Sequence, residues 1–166
     1  MTATAMRDTP HILLVDENPQ DLALIQESCA DCSLPAVFHI AHDGDEALAC
    51  MSRLSQSGAR PDLIVLDIIL PKQDGFHVLR ELKRQASARP TPVLVLTGSS
   101  DMRHVDRSFR LGASDYLYKP VVYGDPRVVA EHIAELLHLT PGVVPPLPTQ
   151  ATQSLHGMAT SQSSSV

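Results

Sequence analysis

A single carboxylate, Asp67, lies in the most apolar stretch of the chain, residues 63–70. This density of Leu, Ile and Val is typical of a strand buried on both faces of a parallel sheet. A buried charge without a partner is costly, but the carboxyl end of such a strand is where open α/β sheets bind ligands. Pro71 cannot donate a hydrogen bond to a neighbouring strand, so it supports a strand end beside Asp67.

Three further predicted strands also end at side chains capable of chemistry. These strands cover residues 11–15, 92–96 and 114–118, and the residues that follow them are Asp16-Glu17, Thr97 and Lys119, respectively. Because the carboxyl ends of parallel strands meet at one edge of a sheet, three carboxylates, a hydroxyl and an ammonium should converge there. A hard divalent cation such as Mg²⁺, held by oxygen ligands, would relieve the repulsion among the three acids.

Helical patterns alternate with the strands. Asn18-Pro19 is a helix start, with Asn as the N-cap and Pro at the first helical position, and Gly112 is a helix end. The remaining predicted strand covers residues 37–41, and the predicted helices are one that starts after Asn18 and those over 45–54, 76–85, 101–111 and 128–139. This alternation predicts an α/β fold, a doubly wound five-stranded parallel sheet with five helices and right-handed crossovers.

Length and composition indicate one domain. The 166 residues divide into a flexible N-terminus (1–9), a domain (10–139) and a Pro/Ser/Thr-rich tail (140–166) that we expect to be disordered. The formal net charge of −6 argues against a nucleic-acid surface, and no apolar run is long enough to span a membrane. Three Cys and an N-terminus without an apolar signal core predict a cytoplasmic protein with reduced thiols.

Cys29 and Cys32 form a C-x-x-C pair, a spacing used in redox motifs and in halves of zinc sites. A redox pair normally opens a helix after a strand, whereas this pair closes one, and no other zinc ligands follow in motif spacing. We therefore interpret both residues as small apolar packing residues.

Taken together, these residues resemble the receiver domain of two-component response regulators. The positions that match in order and spacing are Asp16-Glu17, Asp67, Leu70-Pro71, Asp74-Gly75, Thr97 and Lys119-Pro120. The resemblance covers roughly residues 10–139. It implies a flavodoxin-like fold with the strand order 2-1-3-4-5.

The resemblance implies a role for each site residue. Asp67 is expected to be the phosphoacceptor, Thr97 and Lys119 to bind the phosphoryl group, and Tyr116 to be the aromatic switch residue. The expected Mg²⁺ ligands are Glu17, Asp67, the backbone carbonyl of Ile69 and, through water, Asp16. Such a protein catalyses only its own phosphorylation and dephosphorylation, and is not otherwise an enzyme.

Some details resemble the small regulators paired with bacterial and cyanobacterial phytochromes. They are the Asn-Pro-x-Asp start of the first helix, the turn at Asp43-Gly44 and the segment 96–100. The resemblance implies a sensor histidine kinase, here of the bacteriophytochrome kind, as the partner. It also implies homodimerisation or docking through the face formed by residues 101–139, with neither nucleic acid nor membrane as a partner.

Two departures from the family pattern concern the site. The acidic pair is Asp-Glu, where Asp-Asp or Glu-Asp is commoner, and Ile69 is apolar where relatives often carry a polar residue. Two other functions remain open: a phosphorylation-independent adaptor with a receiver fold, and a flavodoxin-like cofactor-binding enzyme. The second would need a phosphate-binding Gly or Ser/Thr loop after the first strand, whereas residues 16–19 are acidic and lack Gly.

Overall fold

The computed structural model describes residues 9–86 and 90–139 of the chain. Its elements are β1 (His11–Val15), α1 (Pro19–Asp31), β2 (Val37–Ala41), α2 (Gly44–Gln56), β3 (Leu63–Leu66), α3 (Gly75–Gln85), β4 (Val93–Thr97), α4 (Met102–Arg110), β5 (Asp115–Tyr118), α5 (Lys119–Gly124) and α6 (Arg127–Leu136). The tail over 140–166 and nearly all of the N-terminal segment lie outside the described residues, so their expected disorder stays a prediction.

The five strands form one parallel sheet in the order β2-β1-β3-β4-β5, which confirms the predicted topology. Val15 at the end of β1 lies opposite Leu66 at the end of β3. The residues that follow these two strands therefore leave the sheet side by side at the same edge.

Most helix starts are encoded locally. Asn18 caps α1 as predicted, with its side chain accepting a hydrogen bond from the Gln20 N–H. Asp43, Asp74 and Asp101 cap α2, α3 and α4 in the same way. Gly112 follows α4 with a φ of 99°, the left-handed conformation expected of a residue that ends a helix. None of the helices in the described ranges is long and apolar enough to cross a lipid bilayer.

Alternating residues of the central strands build a core on each face of the sheet. On one face, Leu13 and Ile64 belong to a buried cluster with Leu79 of α3. On the other face, Ile12 and Leu63 belong to a cluster that the helices α1 and α6 complete with Leu22, Ile25 and Ile133. Burial of both faces explains why β1, β3 and β4 are almost continuously apolar.

The predicted last helix over 128–139 corresponds to α6, but the sequence did not predict the short helix that precedes it. The structure has a short additional helix, α5, that begins directly after β5, and α6 follows after a break. Asp125 is extended there, with φ −143° and ψ 95°, and Pro126 has no N–H to continue the helical bonding. The extra turn of helix places Tyr123 close to α1.

The two residues of the cysteine pair, Cys29 and Cys32, lie where packing residues are expected. Cys29 is buried on α1 and Cys32 is half-buried just after it, both as free thiols. Burial, with a smaller contribution from Cys32, raises the pKa of Cys29 to about 12. The thiolate that redox chemistry or zinc binding needs is therefore disfavoured at neutral pH, which supports the packing interpretation.

Candidate functional site

A buried ammonium lies among three buried carboxylates at the carboxyl edge of the sheet. Nζ of Lys119 is 2.7 Å from a carboxylate oxygen of each of Asp16, Asp21 and Asp67. We call these four residues the lysine–aspartate cluster. The exposed fractions of Asp16, Asp21, Asp67 and Lys119 are 3%, 5%, 6% and 7%. An ammonium has three N–H donors, so the three acids use its full capacity.

Strand ends position three members of the cluster. Asp16 follows β1, Asp67 follows β3, and Lys119 is the first residue after β5. The Asp16 N–H donates to the Ala41 carbonyl at 3.1 Å, and the Asp67 N–H donates to the Val15 carbonyl at 2.9 Å. These bonds extend the sheet ladder by one residue on each strand. The structure thus brings Asp16, Asp67 and Lys119 together, as the convergence of strand ends predicts.

Glu17 and Ile69, the other predicted metal-ligand positions, border the cluster without joining it. Glu17 is exposed, whereas the neighbouring Asp16 is buried. The Ile69 N–H donates to Oδ1 of Asp67 at 2.8 Å, which orients the carboxylate. The Ile69 side chain itself is 52% exposed.

The chemistry of the cluster suits a cation. Asp16 and Asp67 already share one positive charge, the Lys119 ammonium, and together with Glu17 they offer only oxygen donors, as Mg²⁺ prefers. Within residues 9–86 and 90–139, no three carboxylate, imidazole or thiol side chains are gathered tightly enough to hold a metal ion by themselves. The carboxylate oxygens of Asp16 and Asp67 are therefore donors of the type that a divalent cation takes, but these side chains would not complete its coordination by themselves.

The predicted phosphoryl-binding hydroxyl and the predicted switch residue occupy the neighbouring strands. Thr97 is the last residue of β4 and is fully buried, and its Oγ1 accepts a long hydrogen bond of 3.5 Å from the Ser99 N–H. The half-buried Tyr116 of β5 donates its hydroxyl to the Ser99 carbonyl at 2.7 Å. Burial raises the pKa of the Tyr116 phenol, so it stays a donor. Ser99 thus links the two residues.

The loop after Asp67 depends on Gly75. A Cβ atom at this position would stand 2.1 Å from the backbone oxygen of Ile68, far inside contact distance. This close approach of two backbone segments places the N-terminus of α3 against the residue next to Asp67. The Asp-Gly of the sequence pattern therefore shapes the loop that carries the acceptor.

Burial and the ammonium act on the acids in opposite directions. Desolvation raises the pKa of Asp16, although hydrogen bonds from Lys119 and from the Asn18 N–H oppose it. For Lys119 burial lowers the pKa, but its hydrogen bonds to the three aspartates outweigh burial and leave the pKa raised. The cluster thus sets three carboxyl groups against one ammonium, and burial and ion pairing oppose each other in it.

We expect Asp16→Asn to stabilise the metal-free fold by about 1 kcal/mol, the free energy of one pKa unit. The folded state binds the Asp16 proton more tightly than the unfolded chain, so stability from this group is lost as the pH rises through its raised pKa. Thermal unfolding in EDTA should show a higher Tm for Asp16→Asn at pH 7. The difference should vanish near pH 3, which is below the ordinary aspartate pKa of 3.8. Asp31→Asn, an exposed acid of α1, should change little, and an unchanged or lower Tm for Asp16→Asn would contradict the prediction.

Two members of the site carried no role in the sequence interpretation. Asp21, in the first turn of α1, contacts Lys119, which is 98 residues away. Tyr123 of α5 donates its hydroxyl to the other Asp21 oxygen at 2.8 Å. An acid in the first turn of a helix is ordinarily explained by the helix dipole, so the local pattern gave no sign of this contact.

Comparison with known proteins places the geometry in one family. The sequence profile of the response regulator receiver domain matches residues 12–133. The response regulator Rcp1 of Synechocystis sp. is 39% identical over 113 residues, which cover 65% of this chain and 75% of that protein.

Two solved structures of response regulators superpose on most of this chain. The phosphorylated cyanobacterial phytochrome response regulator RcpA superposes with a TM-score of 0.69 and 32% identity, over 79% of this chain and 95% of its own. The Mn²⁺-bound form of response regulator Rcp1 superposes with a TM-score of 0.66 and 33% identity, over 79% and 96% of the respective chains.

Proposed function

Because this chain belongs to the response regulator receiver domain family, we propose that Asp67 accepts a phosphoryl group from a phosphohistidine of a sensor histidine kinase and thereby switches a protein-interaction surface. The observation that carries the proposal is the position of Asp67, buried at the carboxyl edge of the sheet and 2.7 Å from the Lys119 ammonium. The protein acts on its own acceptor and turns over no separate substrate.

The cluster suits phosphoryl transfer, which needs positioning and charge neutralisation more than covalent assistance. An Asp67 oxygen forms the bond to phosphorus while the bond from phosphorus to the donor imidazole nitrogen breaks, and the imidazole keeps the electron pair and takes a proton. Lys119 neutralises charge on the incoming group, and the Thr97 hydroxyl donates to one of its oxygens. A bound Mg²⁺ would supply further charge neutralisation. A Cβ atom at Gly98 would meet nothing within 4 Å, so the approach beside Thr97 is open.

The direct test is labelling of the full chain by acetyl phosphate or phosphoramidate in the presence of Mg²⁺. Incorporation that requires Mg²⁺ and is abolished by EDTA supports the proposal. A chain that stays unlabelled while a known receiver domain is labelled in parallel would point to a phosphorylation-independent adaptor. Retention of a flavin or nucleotide by the unlabelled chain would instead point to a flavodoxin-like enzyme.

We expect Mg²⁺ affinity to depend on Glu17, Asp16 and Asp67, with the Ile69 carbonyl as a further ligand. Loss of a direct ligand through Glu17→Ala should weaken binding at least about tenfold, because even indirect partners of metal ligands cost that much. Asp16→Ala should weaken it as well. Calorimetric titration with MgCl₂ measures both, with Asp31→Ala as the matched control for loss of one negative charge. A Glu17→Ala variant that binds Mg²⁺ as tightly as the wild type makes this ligand assignment wrong.

The proposed switch links Thr97 to Tyr116. When Thr97 donates to a phosphoryl oxygen, its Oγ1 moves toward Asp67 and vacates space beside β5. The Tyr116 hydroxyl is held outside that space by the Ser99 carbonyl, 2.7 Å away, and would leave this bond to turn inward. A side-chain movement at this position changes the surface formed by α4 and β5.

That surface is the proposed interaction face. Met102 and Phe109 of α4 are 73% and 47% exposed, and Val121 of α5 is also exposed, a set of apolar side chains suited to docking. We propose that the face binds a second copy or a downstream protein. The similarity to RcpA, a cyanobacterial phytochrome response regulator, supports a phytochrome-type kinase as the phosphodonor. We propose that the protein acts in the cytoplasm.

We expect the acyl phosphate to hydrolyse slowly. The side chains that flank the approach to phosphorus are Ile69, which is apolar and half-exposed, and Ser99, whose hydroxyl is bonded to His104 Nδ1 at 2.6 Å. Neither side chain is free to orient a water molecule. Ile69→Asn combined with Ser99→Glu should speed the decay roughly tenfold, by supplying groups that hold and polarise water.

Decay of ³²P label from purified phosphoprotein measures this rate. Ile69→Leu, which keeps the apolar shield, is the matched control and should decay like the wild type. Loss of the wild-type label within seconds, or an unchanged rate in the double variant, would overturn the expectation.

A further inference from the structure

We propose that Asp21, oriented by Tyr123, is a positioning residue that anchors Lys119 for phosphoryl transfer to Asp67; this inference rests on the function proposed above. Asp21 is the member of the lysine–aspartate cluster that does not follow a strand. It stands in the first turn of α1, and its Oδ2 lies 2.7 Å from Lys119 Nζ.

The anchor is independent of the groups that change during the reaction. Asp16 and Asp67 must share their charge with a divalent cation and with the incoming phosphoryl group, so their hold on Lys119 weakens in the reactive state. Asp21 has no such competing task, because its second oxygen is already bonded to the Tyr123 hydroxyl at 2.8 Å. A lysine has four rotatable side-chain bonds, and a fixed anion at this point restricts them.

Tyr123 connects the buried Asp21 carboxylate to the protein surface. Its ring is 53% exposed on α5, while its hydroxyl reaches the buried carboxylate of Asp21. The Ser28 hydroxyl also bonds the Pro126 carbonyl at 2.5 Å, which ties the start of α6 to α1 and keeps this pair of segments together. A protein that covers α5 would therefore contact the residue that orients the anchor.

The direction of the effect separates anchoring from simple electrostatics. A carboxylate near the site repels an anionic phosphodonor, so neutralising Asp21 should speed labelling if its charge acts directly. If Asp21 holds Lys119 in place, neutralising it should slow labelling instead. The second effect should disappear when Lys119 is absent.

The test compares labelling rates by acetyl phosphate at saturating Mg²⁺. Asp21→Asn should be roughly tenfold slower than the wild type, within the cost of a misplaced group. Tyr123→Phe, which changes no charge, should be roughly threefold slower, the scale of one hydrogen bond. Asp21→Asn in a Lys119→Met background should be no slower than Lys119→Met alone. Asp31→Asn on α1 and Tyr118→Phe on β5 are the matched controls.

A second measurement does not depend on phosphorylation. Exchange of the Lys119 ammonium protons, followed by NMR, should be faster in Asp21→Asn and Tyr123→Phe than in the wild type. Unchanged exchange in both variants, or an Asp21→Asn variant labelled at or above the wild-type rate, overturns the inference while leaving the function of Asp67 intact. Faster exchange in the two variants, combined with a wild-type chain that cannot be labelled, would keep the anchoring contact and reject the phosphoacceptor function together with the catalytic part of the inference.

Discussion

Replacing Asp67 by asparagine is expected to reduce Mg²⁺-dependent labelling by acetyl phosphate at least about a thousandfold, as removal of the nucleophile does in enzymes with a nucleophilic side chain. Asparagine keeps the size of the side chain and can still accept the hydrogen bond from the Ile69 N–H, now 2.8 Å from Asp67 Oδ1. It loses the anionic oxygen that would attack phosphorus. The fold should therefore survive while the chemistry fails.

The cluster contains two other buried carboxylates, so the site of the label must be mapped. Borohydride reduction of the acyl phosphate followed by peptide mass spectrometry should mark Asp67 and neither Asp16 nor Asp21. Asp106→Asn, an exposed acid of α4, is the control for loss of one charge and should be labelled normally. Undiminished labelling of Asp67→Asn would refute the assignment.

Lys119→Met should lower the free energy of unfolding of the metal-free protein by about 3 kcal/mol or more at pH 7, the cost of breaking a buried ion pair. Methionine fills the volume of the lysine stem but leaves Asp16, Asp21 and Asp67 buried without a counter-ion. The deficit should shrink as the pH falls through the pKa of Asp16, which burial raises, because protonation of Asp16 removes one of the repelling charges. It should also shrink in Mg²⁺.

Urea unfolding with and without EDTA measures this loss. Lys72→Met is the matched control, since the side chain of Lys72 is 74% exposed and its ion pair with Asp43 is long, at 3.6 Å. Adding Asp16→Asn to Lys119→Met should recover part of the stability, because one of the three uncompensated charges is removed. A Lys119→Met protein as stable as Lys72→Met would show that the cluster needs no counter-ion.

The order of elements was readable in the sequence because the signals are local. Apolar runs over 11–15 and 63–66 and the Asn18-Pro19 start each describe one element and its immediate neighbours. The rule that parallel strands end at one edge then brought Asp16, Asp67 and Lys119 together without any structure. Val15 and Leu66, the last residues of β1 and β3, lie opposite each other in the sheet, so these two strands end at the same level as the rule requires.

Local signals failed where several elements meet. The short helix α5 was missed because six residues are too few to show a helical period. The exposure of Glu17, beside the buried Asp16, depends on how the chain leaves β1 and enters α1.

The sequence by itself determined the strands, most of the helices, and the acidic and lysine residues of the carboxyl edge, since each depends on residue type and short-range spacing. Only the tertiary structure decided which acids share the ammonium. Asp21 and Tyr123 are 102 residues apart, and they meet because α1 and α5 flank the same end of the sheet. Packing of helices against a twisted sheet sets that contact, and no periodicity along the chain encodes it.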